Sequence, residues 1–278
     1  MSTGGNQQAC ARELQGKVAI VTGAGSSGPG FGTGKAIAAR FASAGAKLAL
    51  FDVNPQACAE TAALVLEQGA ESISVAGDVS CAADVQRLVS ACLNRFGNLD
   101  IVVNNIGIRL GQGLREESEE QWERAVSVNA KGVFLMCKYA VPHLIKTDCG
   151  RIINISSVAG IRVTSLPPSY GYAASKAAIL QMTRAMALEF ASYGLRCNCI
   201  IPGMLDTTNL RTAYAAVGLP SGEIEAQIER RNALSPTGKQ GTAWDVADAA
   251  LFFASSRANF INGAELLVDG GQVQATAL

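Results

Sequence analysis

The sequence predicts an α/β fold: a doubly wound parallel sheet of about seven strands with helices on both faces. Three observations predict it. Seven short apolar runs recur along the 278 residues, each too apolar to leave one face in water. A segment of helical spacing follows each of the first six runs, the alternation of right-handed βαβ crossovers. The first run passes directly into TGAGSSGPGFGTGK, residues 22–35, and a helical pattern opens just after.

The strand-like runs are KVAIVT (17–22), AKLALFD (46–52), SISVAG (72–77), LDIVVNN (99–105), GRIINIS (150–156), LRCNCII (195–201) and AELLVDG (264–270). Helical periodicity lies between them at 34–44, 55–68, 82–96, 118–145, 171–192 and 243–255. Residues 206–238 break this rhythm with a long strandless stretch carrying the turn signals LPSG and LSPTG. Ligands of doubly wound sheets bind beyond the carboxyl ends of the strands. An insertion after the sixth strand overhangs that place, so 206–238 is a candidate substrate lid. Residues 1–16 are polar and read as a flexible tail, leaving 17–278 as one domain.

Composition narrows the function. Hydrophobic residues make up 49% of the chain, charged residues 17%, and the formal net charge is +0, which favours neither nucleic acid nor an anionic membrane. No apolar run approaches the length of a membrane span, and the start lacks the apolar stretch of a signal peptide. The eight cysteines are scattered, as free thiols of a reducing compartment are, so the cytoplasm is the expected location. Cys197 and Cys199 alternate on one strand face without partner ligands nearby, so no metal site is expected. His143 is the single histidine, placed on a helix flank, which argues against a histidine-based triad.

The glycine-rich turn sits where a first βα turn presents backbone N–H groups and a helix N-terminus to a pyrophosphate. Asp52, at the end of the second strand, lies 18 residues beyond Gly34, near the spacing of a ribose-binding acid. A carboxylate there accepts from both adenosine-ribose hydroxyls and repels a 2′-phosphate, and Val53 and Asn54 supply no cation. The cofactor expected is therefore NAD. The competing account of Asp52 is a solvated residue at a strand end.

Several stretches together resemble the short-chain dehydrogenase/reductase family from about Lys17 to Gly271: VTGAG…GTGKAIAARFASAGA, GDVS (77–80), NNIG (104–107), SVNAKGVF (127–134), GRIINISSVAG (150–160), YAASK (172–176), IIPGMLDT (200–207) and VDGG (268–271). The resemblance implies a Rossmann-like catalytic domain that oxidises a secondary alcohol or reduces its ketone. It implies Tyr172 as general acid/base, Lys176 as holder of the nicotinamide ribose and depressor of the tyrosine pKa, Ser157 on the substrate oxygen and Asn129 in a water relay. It implies Asp78 and Val79 at the adenine, Asn105 and Gly107 on the adenosine side, and Pro202, Gly203 and Thr207 at the carboxamide. It also implies a homotetramer. Independently, Tyr172 and Lys176 are i and i+4 and so share a helix face, whereas Tyr170 has Ala174 at that offset. Ser156 and Ser157 point opposite ways, and the family uses the second.

The chain departs from the family pattern in three places. Gly23 and Gly32 are 9 apart, five more than usual, so Gly23, Gly32 and Gly34 are expected to work as the phosphate glycines, with 25–30 as an added flap. The rival register uses Gly23, Gly28 and Gly30. Ile106 replaces a small residue, and Ser157 and Tyr172 are 15 apart, two more than usual. Expected walls are Ile108, Leu110, Val158, Leu166, Met204, Leu205, Leu210 and Tyr214, which suit an apolar substrate. Arg109 and Arg162 are either anion anchors or solvated loop residues. Besides alcohol oxidation, the readings left open are a silent dinucleotide-binding scaffold and a dehydratase, epimerase or enoyl reductase on the same fold.

Overall fold

The computed structural model describes residues 13–164 and 167–275. Seven parallel strands form one sheet: β1 (Val18–Thr22), β2 (Lys47–Asp52), β3 (Ser72–Ala76), β4 (Ile101–Asn104), β5 (Arg151–Ile155), β6 (Arg196–Pro202) and β9 (Glu265–Val268), in the order β3-β2-β1-β4-β5-β6-β9. Chain order reverses between β1 and β4, which is the topological switch point of such a sheet.

The five central strands are buried on both faces because each face carries apolar side chains, whereas the edge strands β3 and β9, expected to be buried likewise, are half-buried or exposed because each has a neighbour on one side only. In β1, Ala19 and Val21 join one core with Phe41 and Phe253, while Val18 and Ile20 join the other with Met136 and Leu180. Helices α1 (Thr33–Ser43), α2 (Pro55–Glu67) and α9 (Ala243–Ala254) cover the first face. Helices α3 (Ala82–Phe96), α5 (Gly132–Leu144) and α6 (Tyr170–Glu189) cover the second. Local signals set the ends: Asn54 caps α2 from its side chain with Pro55 behind it, and Gly97 closes α3 at φ +77°.

Two local expectations change. The expected tail over 1–16 ends earlier, because Leu14 is buried and its N–H donates to Ala44 O. Residues 1–12 lie outside the described residues. The expected helix over 118–145 is α4 (Glu119–Val126), a π-helical turn at Ser127–Lys131, and then α5. The wider turn carries Asn129, and such turns gather at functional positions. The lid comprises α7 (Thr208–Ala216) and α8 (Ser221–Ala233). Its base is tied by a parallel pair between β7 (Leu205–Asp206) and β8 (Gly241–Thr242), which bracket the stretch and leave its interior without a strand, as expected.

Candidate active site

A cleft of about 600 Å³ opens beyond the carboxyl ends of the strands. Its lining includes Gly23 after β1, Asp52 at the end of β2, Asp78 and Val79 after β3, Asn105 and Gly107 after β4, Ser157 after β5, and Pro202, Gly203 and Thr207 after β6. Tyr172 and Lys176 reach it from α6. Residues scattered from 23 to 207 thus converge because the parallel sheet ends all its strands on one side.

Lys176 and Tyr172 lie one helical turn apart, with the ammonium 5.8 Å from the ring centroid. Lys176 is 3% exposed, and its Nζ donates to Ile155 O at 2.9 Å. Burial pushes this ammonium down to about 8. Burial also pushes the Tyr172 phenol up, opposed by a hydrogen bond with Ser157 and by the Arg109 charge. The expected depression by Lys176 is replaced here by those two influences. Ser156 turns away from Ser157 and donates from Oγ to Lys176 O at 2.7 Å, tying the end of β5 to α6. The Asn129 amide donates from Nδ2 to Ile108 O and Ser175 Oγ, and its Oδ1 accepts from Ile108 N. It holds the strand-like segment beside Lys176 rather than touching Lys176. Tyr170 stands at the exposed start of α6.

At the opposite end, Gly23 has φ +63° and packs against Asn105 and Ile106. Gly32 is the N-cap of α1 and Gly34 lies in its first turn. A side chain at Gly34 would run into Gly23 O, so this glycine brings the helix against the strand. Neither Gly32 nor Gly34 lines the cleft. Ser26, Ser27 and Thr33 do, and spacing alone did not single them out. The flap also leans on the lid: Ser27 donates from N and Oγ to Asn209 Oδ1, and Thr208 Oγ1 donates to Pro29 O. Asp52 is oriented by N–H donors from Gly25 and Asn54, each at 2.9 Å. Burial pushes the Asp78 carboxyl up, but hydrogen bonds from Ser80 and Arg124 outweigh it and hold it below the usual range.

These surroundings fit a nicotinamide dinucleotide. The cleft has glycine backbone at one end, a helix N-terminus beside it, an oriented carboxylate and a half-buried tyrosine beside a buried lysine. A side chain at Gly107 would meet Lys176 Nζ at 2.9 Å, so bare backbone is needed there.

A family model described as Enoyl-(Acyl carrier protein) reductase matches residues 29–272. The chain belongs to the short-chain dehydrogenase/reductase family. It is 38% identical to a 2,5-dichloro-2,5-cyclohexadiene-1,4-diol dehydrogenase of Sphingobium indicum, over 94% of this chain and 98% of that one. It is 36% identical to a 2-(R)-hydroxypropyl-CoM dehydrogenase of Xanthobacter autotrophicus, over 91% and 97% respectively. The crystal structure of a short-chain dehydrogenase/reductase from Burkholderia xenovorans matches with a TM-score of 0.89 at 41% identity, over 95% of this chain and 99% of that one. This short-chain dehydrogenase/reductase is therefore an oxidoreductase, and dehydrogenases of the family use nicotinamide dinucleotides.

Other expected positions change. Of the anticipated apolar walls, Ile108 and Leu205 line the cleft, together with Ile106, Val128 and Ile155. Leu110, Val158, Met204, Leu210 and Tyr214 do not, and Leu166 lies outside the described residues. Arg162 donates to Gln272 O, Val273 O and Ala275 O, so it fastens the carboxyl-terminal backbone. Arg231, on α8, lines the cleft without having been anticipated. Cys197 and Cys199 are buried and free, and burial raises both thiols, Cys199 to about 12. Among the described residues no helix is long and apolar enough to cross a membrane.

Proposed function

We propose that this short-chain dehydrogenase/reductase interconverts a secondary alcohol and its ketone with NAD, using Tyr172 as general acid/base. The observation that carries the reading is the convergence of Tyr172, Ser157, Lys176 and Asp52 on one cleft. When bound, NAD supplies the hydride acceptor at its nicotinamide ring. Asp52 would hold the adenosine ribose, Asp78 and Val79 the adenine, and Asn105 and Gly107 the adenosine side. Gly23, Gly32, Gly34 and the α1 terminus would shape the pyrophosphate turn, and Pro202, Gly203 and Thr207 would face the carboxamide.

The protein's own steps are few. Ser157 holds the substrate oxygen and Tyr172 Oη. Tyr172 takes the hydroxyl proton in oxidation and returns it in reduction. Lys176 places its cation beside the phenol and the nicotinamide ribose, while Asn129 fixes the backbone that closes over it. Because burial favours the neutral phenol, Tyr172 is poised to donate a proton. Asp52 disfavours a 2′-phosphate, which selects NAD over NADP.

A panel of secondary alcohols and ketones, followed by nicotinamide absorbance with NAD and with NADP, tests this reading. Turnover with NAD is expected, and Asp52→Ala should narrow the gap between the cofactors. A preference for NADP refutes the Asp52 argument. Reduction of an enoyl thioester with no alcohol turnover replaces the reaction assignment. Cofactor binding without turnover of any compound supports the silent scaffold. We further propose a cytoplasmic homotetramer, which light scattering and fractionation address.

A further inference from the structure

We propose that Arg231 anchors an oxyanion, a carboxylate on the substrate, and that this lid residue thereby selects an apolar secondary alcohol bearing one acidic group. The proposal rests on the alcohol–ketone reading of the same cleft. Among the described residues, three cationic side chains line that cleft: Lys176, Arg124 and Arg231. Lys176 is committed to the reacting end through Ile155 O. Arg124 is neutralised by Asp78 at 2.8 Å. Arg231 instead has a neutral partner: its Nε donates to Gln240 Oε1 at 2.6 Å.

That partner is fixed. Gln240 is 6% exposed, its backbone N–H donates to Asn232 Oδ1, and its side-chain amide donates to Ile228 O and Asn232 Oδ1. The guanidinium is therefore oriented through one nitrogen by a group that leaves its charge intact. Its planar fork can still take a carboxylate in two parallel hydrogen bonds. Arg211, on the other lid helix, provides the contrast. Asp206 accepts at 2.8 Å from its Nε and Nη2, and Glu225 accepts from its Nη1, so two acids already saturate it.

The same oxyanion chemistry exists in the dinucleotide pyrophosphate. Ser26 and the α1 N-terminus at Thr33 already provide donors at that end, which favours the substrate as the source.

The test uses 4-(1-hydroxyethyl)benzoate and its methyl ester with the intact protein and NAD. It also measures binding of 4-acetylbenzoate to the NADH-loaded protein by NADH fluorescence. The acid should be preferred to the ester. Arg231→Ala should reduce that preference, and the acid's affinity, by about tenfold or more, the scale of one charge-assisted contact. Arg231→Lys should restore part of both. Unchanged acid preference and affinity in Arg231→Ala overturn the proposal. So does a loss of NADH affinity with the acid preference retained, which assigns Arg231 to the pyrophosphate. If neither alcohol turns over, the reaction assignment fails, whereas 4-acetylbenzoate binding still decides the anchor.

Discussion

At the reacting end of the cleft, Tyr172 and Lys176 stand on a helix sealed against the sheet, whereas the walls at the far end stand on exposed segments. Lys176 and Ser175 are nearly inaccessible, and Ser156 stitches β5 to α6. The flap at 25–30 and the lid meet instead through surface hydrogen bonds, such as those from Ser27 to Asn209. The difference follows from what each end must do. Proton transfer needs fixed geometry and a controlled dielectric. Entry of a long dinucleotide needs segments that part at small cost, and exposed polar contacts contribute little.

The largest way to break the comparison lies at the sealed end. Tyr172→Phe should lower kcat by roughly a hundred- to ten-thousand-fold, the usual worth of general acid–base catalysis. NADH binding, read by fluorescence, should remain. Tyr170→Phe, which removes a single hydroxyl at an exposed helix start, should be far milder. The reverse ranking would place the catalytic phenol at Tyr170.

Ser157→Ala sharpens the same end through pH. The hydrogen bond from Ser157 lowers the Tyr172 pKa against the rise that burial causes. Removing it leaves the phenol harder to ionise, and alcohol oxidation needs the ionised form. The acid limb of kcat/KM for oxidation should therefore move to higher pH, together with a fall in its plateau. A limb that stays in place would mean that Ser157 acts on the substrate oxygen alone.

Next in size is a contact that links the two kinds of region. Glu117, in the exposed loop before α4, accepts from Tyr170 N at 2.7 Å and from Gly171 N at 2.8 Å. Its carboxylate thus caps the helix that carries Tyr172, where negative charge is also favourable. Glu117→Ala should cost about 1 kcal/mol of stability in denaturant unfolding. It should lower kcat more than it raises KM, and Glu117→Gln should recover part of both. An unchanged kcat would make the cap purely structural.

How much of this was legible in the sequence tracks how local each interaction is. Tyr172 and Lys176 are four residues apart, so helical geometry alone aligns them. Asp52 follows from a strand end at a known remove from the glycine turn, and Gly34 from the start of a helical pattern. The five central strands announced themselves because burial on both faces leaves no polar alternation, and the edge strands β3 and β9 by their place in the alternation with helices. The π-helical turn at Asn129 was hidden because helical periodicity marks a stretch as helix without resolving one wider turn inside it. Arg231, Ser26 and Ser27 reach the cleft through the docking of the lid and flap, which no short-range spacing encodes. The Tyr172 pKa was misjudged for a related reason: the balance depends on burial and on Arg109, whose position is set by a loop.

The smallest expected effect tests the loose end. Asn209 Oδ1 accepts from both Ser27 N and Ser27 Oγ, at 3.2 and 2.8 Å, and Thr208 Oγ1 reaches Pro29 O at 2.9 Å. All three bonds are exposed, so water replaces them readily and each is worth on the order of 1 kcal/mol or less. Asn209→Ala should leave the unfolding midpoint nearly unmoved, since the contact contributes little to the core. Its consequence should be in rate: with the flap untied from the lid, NADH should leave faster, by about two- to fivefold, on the scale of one weak hydrogen bond. Shortening the flap by removing residues from SSGPG removes the same contacts from the other side. Its effect should be less than additive with that of Asn209→Ala, because both changes delete the contacts between Ser27 and Asn209. Stopped-flow displacement of NADH measures each variant and the combination. Full additivity would show that flap and lid act on the cofactor separately, and the contrast between a sealed end and a latched end would then lose its second half.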